Sequence, residues 1–183
     1  MRRPEKGSRE AVLIGFMGAG KSSVGKILAT RLGAEFVDVD ETIEKNAGRS
    51  IREVFVSFGE GEFREMEKAA VRDAVSVPGR VVAAGGGAYL DEGNRRALSA
   101  YGPVFFLDVS CESVLERLTG DRSRPLLPGE GEKMRDMIEK RRPAYRLADF
   151  TVATDGRSVS DVAEGIIDLL VHSDRPPRKA ENG

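Results

Sequence analysis

Apolar runs punctuate the chain at residues 11–14, 35–39, 80–84, 104–109 and, more weakly, 151–153, with helix-like spacing between them. That alternation predicts an α/β domain built on a parallel sheet. Helical spacing is plain at 24–32, where Val24, Ile27, Leu28 and Leu32 fall on one face, and again at 51–58, 114–118 and 159–170. Ser50 and Glu53 open the helix at 51 as a capping box. Between the second and third runs, residues 41–77 are helical by pattern and far exceed what a strand-to-strand crossover needs, so this insertion is expected to build a substrate site. Residues 120–131, with Arg122, Arg124, Pro125 and Pro128 among glycines and polar neighbours, read as a mobile flap. The ends, about 1–9 and 174–183, are charged and aperiodic and are expected to be disordered.

The first apolar run leads directly into Gly15-Phe16-Met17-Gly18-Ala19-Gly20-Lys21-Ser22, which matches the phosphate-binding loop pattern, and the helical stretch at 24–32 follows it. Strand, glycine-rich loop and helix are the context the chemistry requires. The glycines let successive backbone N–H groups converge on phosphate oxygens, and the helix behind them adds its positive dipole end. Gly18, Ala19 and Gly20 would cradle the phosphates of a nucleoside triphosphate, Lys21 would reach its β- and γ-phosphates, and Ser22 would be a ligand to the accompanying Mg²⁺. Ser23 is placed for the α-phosphate.

Length and charge narrow the options. At 183 residues the chain fits one domain with a real core, and nothing suggests a second. Lys and Arg total 29 against 30 Asp and Glu, a net charge of -1, so no global field recruits nucleic acid or an anionic membrane. Cys111 is the only cysteine and His172 the only histidine, which excludes an internal disulfide and a multi-cysteine metal site and argues against a histidine zinc site. Catalysis must fall to carboxylates, lysine and arginine. The polar start, without an apolar stretch ahead of residue 11, predicts a cytoplasmic protein, and the lack of an exposed apolar stripe favours a monomer.

At the end of the second run stands Asp38-Val39-Asp40, whose period of two places both carboxylates on one side of an extended chain. Strand ends at this edge of a parallel sheet face the nucleotide crevice. One carboxylate there can hold a magnesium-bound water, and the second can orient or deprotonate a hydroxyl nucleophile. Equally, Asp40 could simply cap a helix over 41–46, and the residues alone leave both readings open. Gly85-Gly86-Gly87 closes the third run at the same edge, where bare backbone lets a ligand approach and donates N–H groups to it. Asp108, after an apolar strand, also looks like a magnesium carboxylate, but it lacks a neighbouring ligand-like cluster and ranks below Asp38. Arg64 and Arg141, taken singly, read as surface arginines.

The loop GFMGAGKSS, the strand end FVDVD, the stretch FGEGEFREME, the triple glycine, the RPLL flap and KRRPAYR together resemble shikimate kinase, in unbroken order from Ala11 to Leu170. The resemblance implies a P-loop NTPase fold of the nucleoside-monophosphate-kinase type: a three-layer α/β sandwich with a five-stranded parallel sheet, a helical shikimate-binding insertion and a mobile lid. It implies transfer of the γ-phosphoryl group of Mg-ATP to the 3-hydroxyl of shikimate, a step of aromatic amino acid biosynthesis. It implies further that Asp40, Arg64, Gly86 and Arg141 bind shikimate, both arginines near its carboxylate, and that Asp40 is the candidate base. Planar guanidinium groups suit that carboxylate because two N–H donors can meet two oxygens. By the same resemblance Asp38 holds Mg²⁺ through water, and Glu67 steadies Arg64 while Phe55 and Phe63 wall the pocket. Arg124 is matched to the lid arginine that reaches the ATP phosphates, and Arg157 to a position near the adenine. Lys21, Asp40 and Arg124 form the catalytic set.

One departure is visible at Arg117-Leu118, where many members carry two adjacent basic residues. A gluconate kinase, which shares the loop and sheet, is the alternative enzyme. From another class, a nucleotide-dependent switch or a binding module is disfavoured, because no Asn-Lys-x-Asp motif appears and the phosphoryl-transfer set is intact.

Overall fold

Every strand ends on the side where the glycines and carboxylates gather. The computed structural model describes residues 9–118 and 130–172. Strands β1 (Ala11–Ile14), β2 (Glu35–Asp38), β3 (Arg80–Ala83), β4 (Val104–Asp108) and β5 (Phe150–Ala153) form one sheet in the order β2-β3-β1-β4-β5. All pairings are parallel, with Leu13 beside Ala83 on one flank and Phe105 on the other. Helices α1 (Lys21–Leu32), α2 (Val39–Ala47), α3 (Ile51–Ala74), α4 (Glu92–Tyr101), α5 (Cys111–Leu118), α6 (Glu130–Tyr145) and α7 (Val159–His172) complete the fold, with a short 3-10 turn at Ala88–Leu90.

The apolar runs become the centre of the core because the sheet is covered on both faces. All four residues of β1 and Val104, Phe105 and Leu107 of β4 are fully buried, as continuous apolar runs in a parallel sheet should be. Phe105 stacks on Phe150 at 5.1 Å between ring centres, which ties β4 to β5. β1 lies between β3 and β4, so the chain leaves it in opposite directions on its two sides. That switch point opens a crevice beyond the carboxyl ends of the strands, where ligands of such sheets bind.

The insertion is α2 and α3. Ser50 accepts from the Glu53 N–H while the Glu53 carboxylate takes the Ser50 N–H at 2.8 Å, so the capping box is formed. α3 runs on to Ala74, within the stretch 41–77 expected to be mostly helical, and bends at Gly59, whose φ of 80° and ψ of 175° are open only to glycine. The pattern breaks there because Gly59-Glu60-Gly61-Glu62 offers no apolar face. The flap expected at 120–131 lies outside the described residues except for its last two positions, which are the first turn of α6. Arg124 and most of both chain ends also lie outside them. Among the described residues, no helix is long and apolar enough to cross a membrane.

Candidate active site

The phosphate loop turns from β1 into α1. A Cβ at Gly15 would sit 2.7 Å from the Leu107 carbonyl oxygen, so the loop hugs β4 only because the residue is glycine. Gly20 precedes α1 at φ 92° and offers no side-chain cap, leaving the N–H groups of the first turn without a side-chain acceptor. Those donors, from Lys21, Ser22 and Ser23, border a cleft of about 520 Å³ together with Gly18 and Ala19. An anion at a helix N-terminus suits that geometry. Lys21 Nζ donates to the carbonyls of Gly15 and Phe16 at 3.0 and 3.1 Å. Burial pushes its proton affinity down; the Asp40 and Asp38 carboxylates oppose this, and Arg141 adds to it.

The two aspartates divide their work differently from the extended-strand expectation. β2 stops at Asp38, and Asp38, not Asp40, is the helix cap: its Oδ1 accepts from the N–H of Asp40 at 3.0 Å and of Glu41 at 3.4 Å. Its other oxygen accepts from the Ser22 hydroxyl at 2.6 Å. Asp40 therefore lies in the first turn of α2 rather than on the strand, and is released from any capping role. Burial raises its carboxyl above the usual range, the Asp38 charge raises it further, and Lys21 partly restores it. A carboxyl whose proton affinity is raised by burial, beside a lysine of the glycine-rich loop, has the character of a proton acceptor.

The triple glycine does more than bare its backbone. A Cβ at Gly85 would lie 2.5 Å from Asp40 Oδ1, and one at Gly87 would lie 2.6 Å from Arg64 Nη1. Two of the three glycines thus make room for the protein's own side chains. The Gly86 carbonyl accepts from Arg141 Nη1 at 3.2 Å and from the Tyr145 hydroxyl, so this segment presents acceptors to the protein's own side chains. Arg64 pairs with fully buried Glu67 at 2.9 Å and with exposed Glu60 at 3.1 Å. Desolvation works against the Arg64 charge, but Glu67 and Glu60 outweigh it and hold the guanidinium ionised. Burial in turn raises the Glu67 carboxyl despite Arg64. Phe63 is buried and packs against partly exposed Phe55, with ring centres 4.3 Å apart and tilted by 31°.

Asp40, Arg64, Gly86 and Arg141 therefore surround one edge of the sheet, one strand away from Lys21. The sequence reading overlooked Phe16, whose ring lies under the Arg141 guanidinium at 5.5 Å, and Tyr145, which shares the Gly86 carbonyl. Tyr145 stands four residues after Arg141, hence on the same helix face, a signal that was present in the chain.

Arg117 and Arg157 both border the cleft beyond the loop. Arg117 donates to the Gly18 carbonyl at 2.9 Å and the Thr154 carbonyl at 3.0 Å, bracing the loop against the end of β5. Arg157 spends its donors on the carbonyls of Ala153 and Asp161, at 3.3 and 2.7 Å. Its position accords with the expected neighbourhood, while its guanidinium is engaged by backbone.

Ser22 and Asp38 present hard oxygen donors side by side at the loop. Among the described residues there is no group of three His, Cys, Asp or Glu side chains that could hold an ion by itself. That donor set fits Mg²⁺, which keeps most of its waters and takes its remaining ligands from phosphates.

Fold and loop define a P-loop phosphotransferase of the α/β class. A family model described as shikimate kinase matches residues 17–171. The chain is 48% identical over 160 residues to a shikimate kinase of Geobacter sulfurreducens, covering 86% of this chain and 88% of that protein. The solved shikimate kinase from Acinetobacter baumannii in complex with shikimate is 37% identical and superposes with a TM-score of 0.82 over 88% of this chain and 92% of that one. A gluconokinase from Sinorhizobium meliloti 1021 reaches a TM-score of 0.58 at 22% identity over 92% of this chain and 93% of that one, a likeness of fold alone. The chain belongs to the shikimate kinase family.

Proposed function

We propose that the protein transfers the γ-phosphoryl group of Mg-ATP to the 3-hydroxyl of shikimate, giving shikimate 3-phosphate and ADP. The observation that carries this reading is the placement of Asp40, Arg64 and Arg141 around Gly85–Gly87, next to the phosphate loop that holds Lys21. Arg64 and Arg141 take the substrate carboxylate, which sets the ring so that a hydroxyl meets Asp40. Asp40 accepts the hydroxyl proton as the oxygen attacks. Lys21 exchanges the Gly15 and Phe16 carbonyls for β- and γ-phosphate oxygens, and the N–H groups from Gly18 to Ser23 hold the rest of the triphosphate. Ser22 and Asp38, the latter through water, would hold the Mg²⁺ that accompanies ATP, which would neutralise phosphate charge. Arg124, from the segment between α5 and α6, is assigned to the transferred phosphate, and Arg157 to the nucleotide side of the cleft. Alignment and charge placement do most of the work in such a transfer. The proposed enzyme acts as a monomer in the cytoplasm.

A direct test replaces Arg64 with lysine, which keeps the charge but cannot offer a planar pair of donors. Steady-state kinetics of Arg64→Lys should show a shikimate KM raised about tenfold or more, the order of a charge-assisted bidentate contact, with the ATP KM changed less than about twofold. A parallel rise in both constants would contradict the carboxylate role.

A further inference from the structure

Asp108 is the carboxylate that resembled a magnesium ligand and that the proposed reaction leaves without work. Its Oδ1 is 2.5 Å from Arg142 Nη1, on the residue beside Arg141. We propose that the Asp108–Arg142 ion pair is a positioning device for Arg141; the inference rests on the reading that Arg141 holds the substrate carboxylate.

The need for such a device lies in α6 itself. Pro143, inside the helix, has no N–H for the Glu139 carbonyl four residues back, so the ladder is interrupted at the turn that carries Arg141 and Arg142. The last turn of α6 therefore depends on anchors outside the helix. Arg142 supplies one of them, reaching Asp108 with one nitrogen and Glu139 Oε1 with Nε at 3.2 Å. The Tyr145 hydroxyl supplies another through the Gly86 carbonyl, and its ring packs on Phe106 at 5.1 Å between centres.

Asp108 is a firm post for this purpose. It ends β4 in register with Ala153, and its carbonyl accepts the Thr154 N–H at 2.9 Å. The residue before it, Leu107, is the one pressed against Gly15 of the phosphate loop. Through Arg142 the helix is thus referenced to the same strand that supports the loop. Successive residues on a helix point about 100° apart, so anchoring Arg142 toward β4 fixes the direction in which Arg141 leaves the helix. Arg141 then lies over Phe16 and meets Gly86 at 3.2 Å. The side chains of Arg142 and Asp108 are 18% and 27% exposed, sheltered enough for the pair to resist screening by salt.

The test measures kinetics of Asp108→Asn, Arg142→Gln and the double variant, with Arg141→Lys as reference and melting curves for all. The expected result is a shikimate KM raised about tenfold in either single variant, with kcat and the ATP KM within about twofold. The double variant should be no worse than the poorer single, because one interaction is lost in all three. Asp108→Glu, which keeps the carboxylate, should recover most of the affinity. If Arg141→Lys raises the shikimate KM and a folded Asp108→Asn does not, the positioning role is overturned while the carboxylate reading stands. If Arg141→Lys leaves the shikimate KM unchanged, the carboxylate reading fails and takes the inference with it. A shift in Mg²⁺ requirement or ATP KM in Asp108→Asn would assign that residue to the nucleotide side and also overturn the proposal. Should Arg142→Gln fail to fold, Arg142→Met, which cannot pair with Asp108, takes its place with the same expected split.

Discussion

In the proposed reaction Asp40 must be charged in a place that resists the charge. Burial and the neighbouring Asp38 raise its carboxyl, with Lys21 only partly compensating. A carboxyl whose folded pKa exceeds its unfolded value contributes stability that is fully present below the unfolded pKa and is lost as pH rises through the folded one. Ionised Asp40 is therefore a destabilising element at neutral pH. Asp40→Asn should lower kcat by about 10²- to 10⁴-fold, the range for a lost general base, while MgATP still binds. The same variant should melt higher than the parent at neutral pH, and that advantage should shrink as pH falls into the range where the parent's Asp40 is protonated. Calorimetry across pH checks the second part; a variant that melts lower at pH 7, or one with full activity, would contradict the assignment. This trade of stability for function accords with strain gathered at active sites.

At the scale of elements, what the sequence made legible was whatever depends on local pattern. The five strands, the loop-to-helix turn and the capping box follow from periodicity and short-range chemistry, and the strands are found within a residue or so of where the pattern put them. The extent of helix over 41–77 was legible, but the bend in α3 was not, since Gly59 interrupts the clear spacing although the chain resumes its helix beyond it. Nor was the division between Asp38 and Asp40, because a period of two holds only while the chain is extended and β2 ends one residue too soon. The partnership of Asp108 with Arg142 spans 34 positions and has no local signature at all. The triple glycine was noticed for its bare backbone, whereas its flanking members are small because Asp40 and Arg64 stand against them. This suggests a paired experiment on the segment after β3. Gly87→Ala should displace the flexible end of Arg64, raising the shikimate KM about tenfold by misplacing that contact while leaving the melting temperature nearly unchanged. Gly85→Ala should instead fall on kcat, because the crowded group is the Asp40 carboxylate. If both variants changed the same constant, the division of labour between the two side chains would be wrong.

The whole molecule joins two sites through one strand. β1 delivers the phosphate loop, β3 on one side delivers the glycines that face Asp40, Arg64 and Arg141, and β4 on the other carries the post for Arg142. The switch point between β3 and β4 is what allows nucleotide and acceptor to meet at a single edge. In the proposed reaction the insertion of α2 and α3 supplies Asp40 and Arg64 to that edge without disturbing the sheet, which is how a common α/β frame would take on a particular substrate. The gluconokinase likeness shows how far the frame alone is shared, and leaves the acceptor to be decided by the residues at the edge. The most direct measurement is ADP release from Mg-ATP by the purified protein with no acceptor, with shikimate and with gluconate. Strong stimulation by shikimate alone, with phosphate appearing on the shikimate 3-hydroxyl, is the expected result. Stimulation by gluconate, or by neither acceptor, would keep the nucleotide loop and contradict the roles given to Asp40, Arg64 and Arg141.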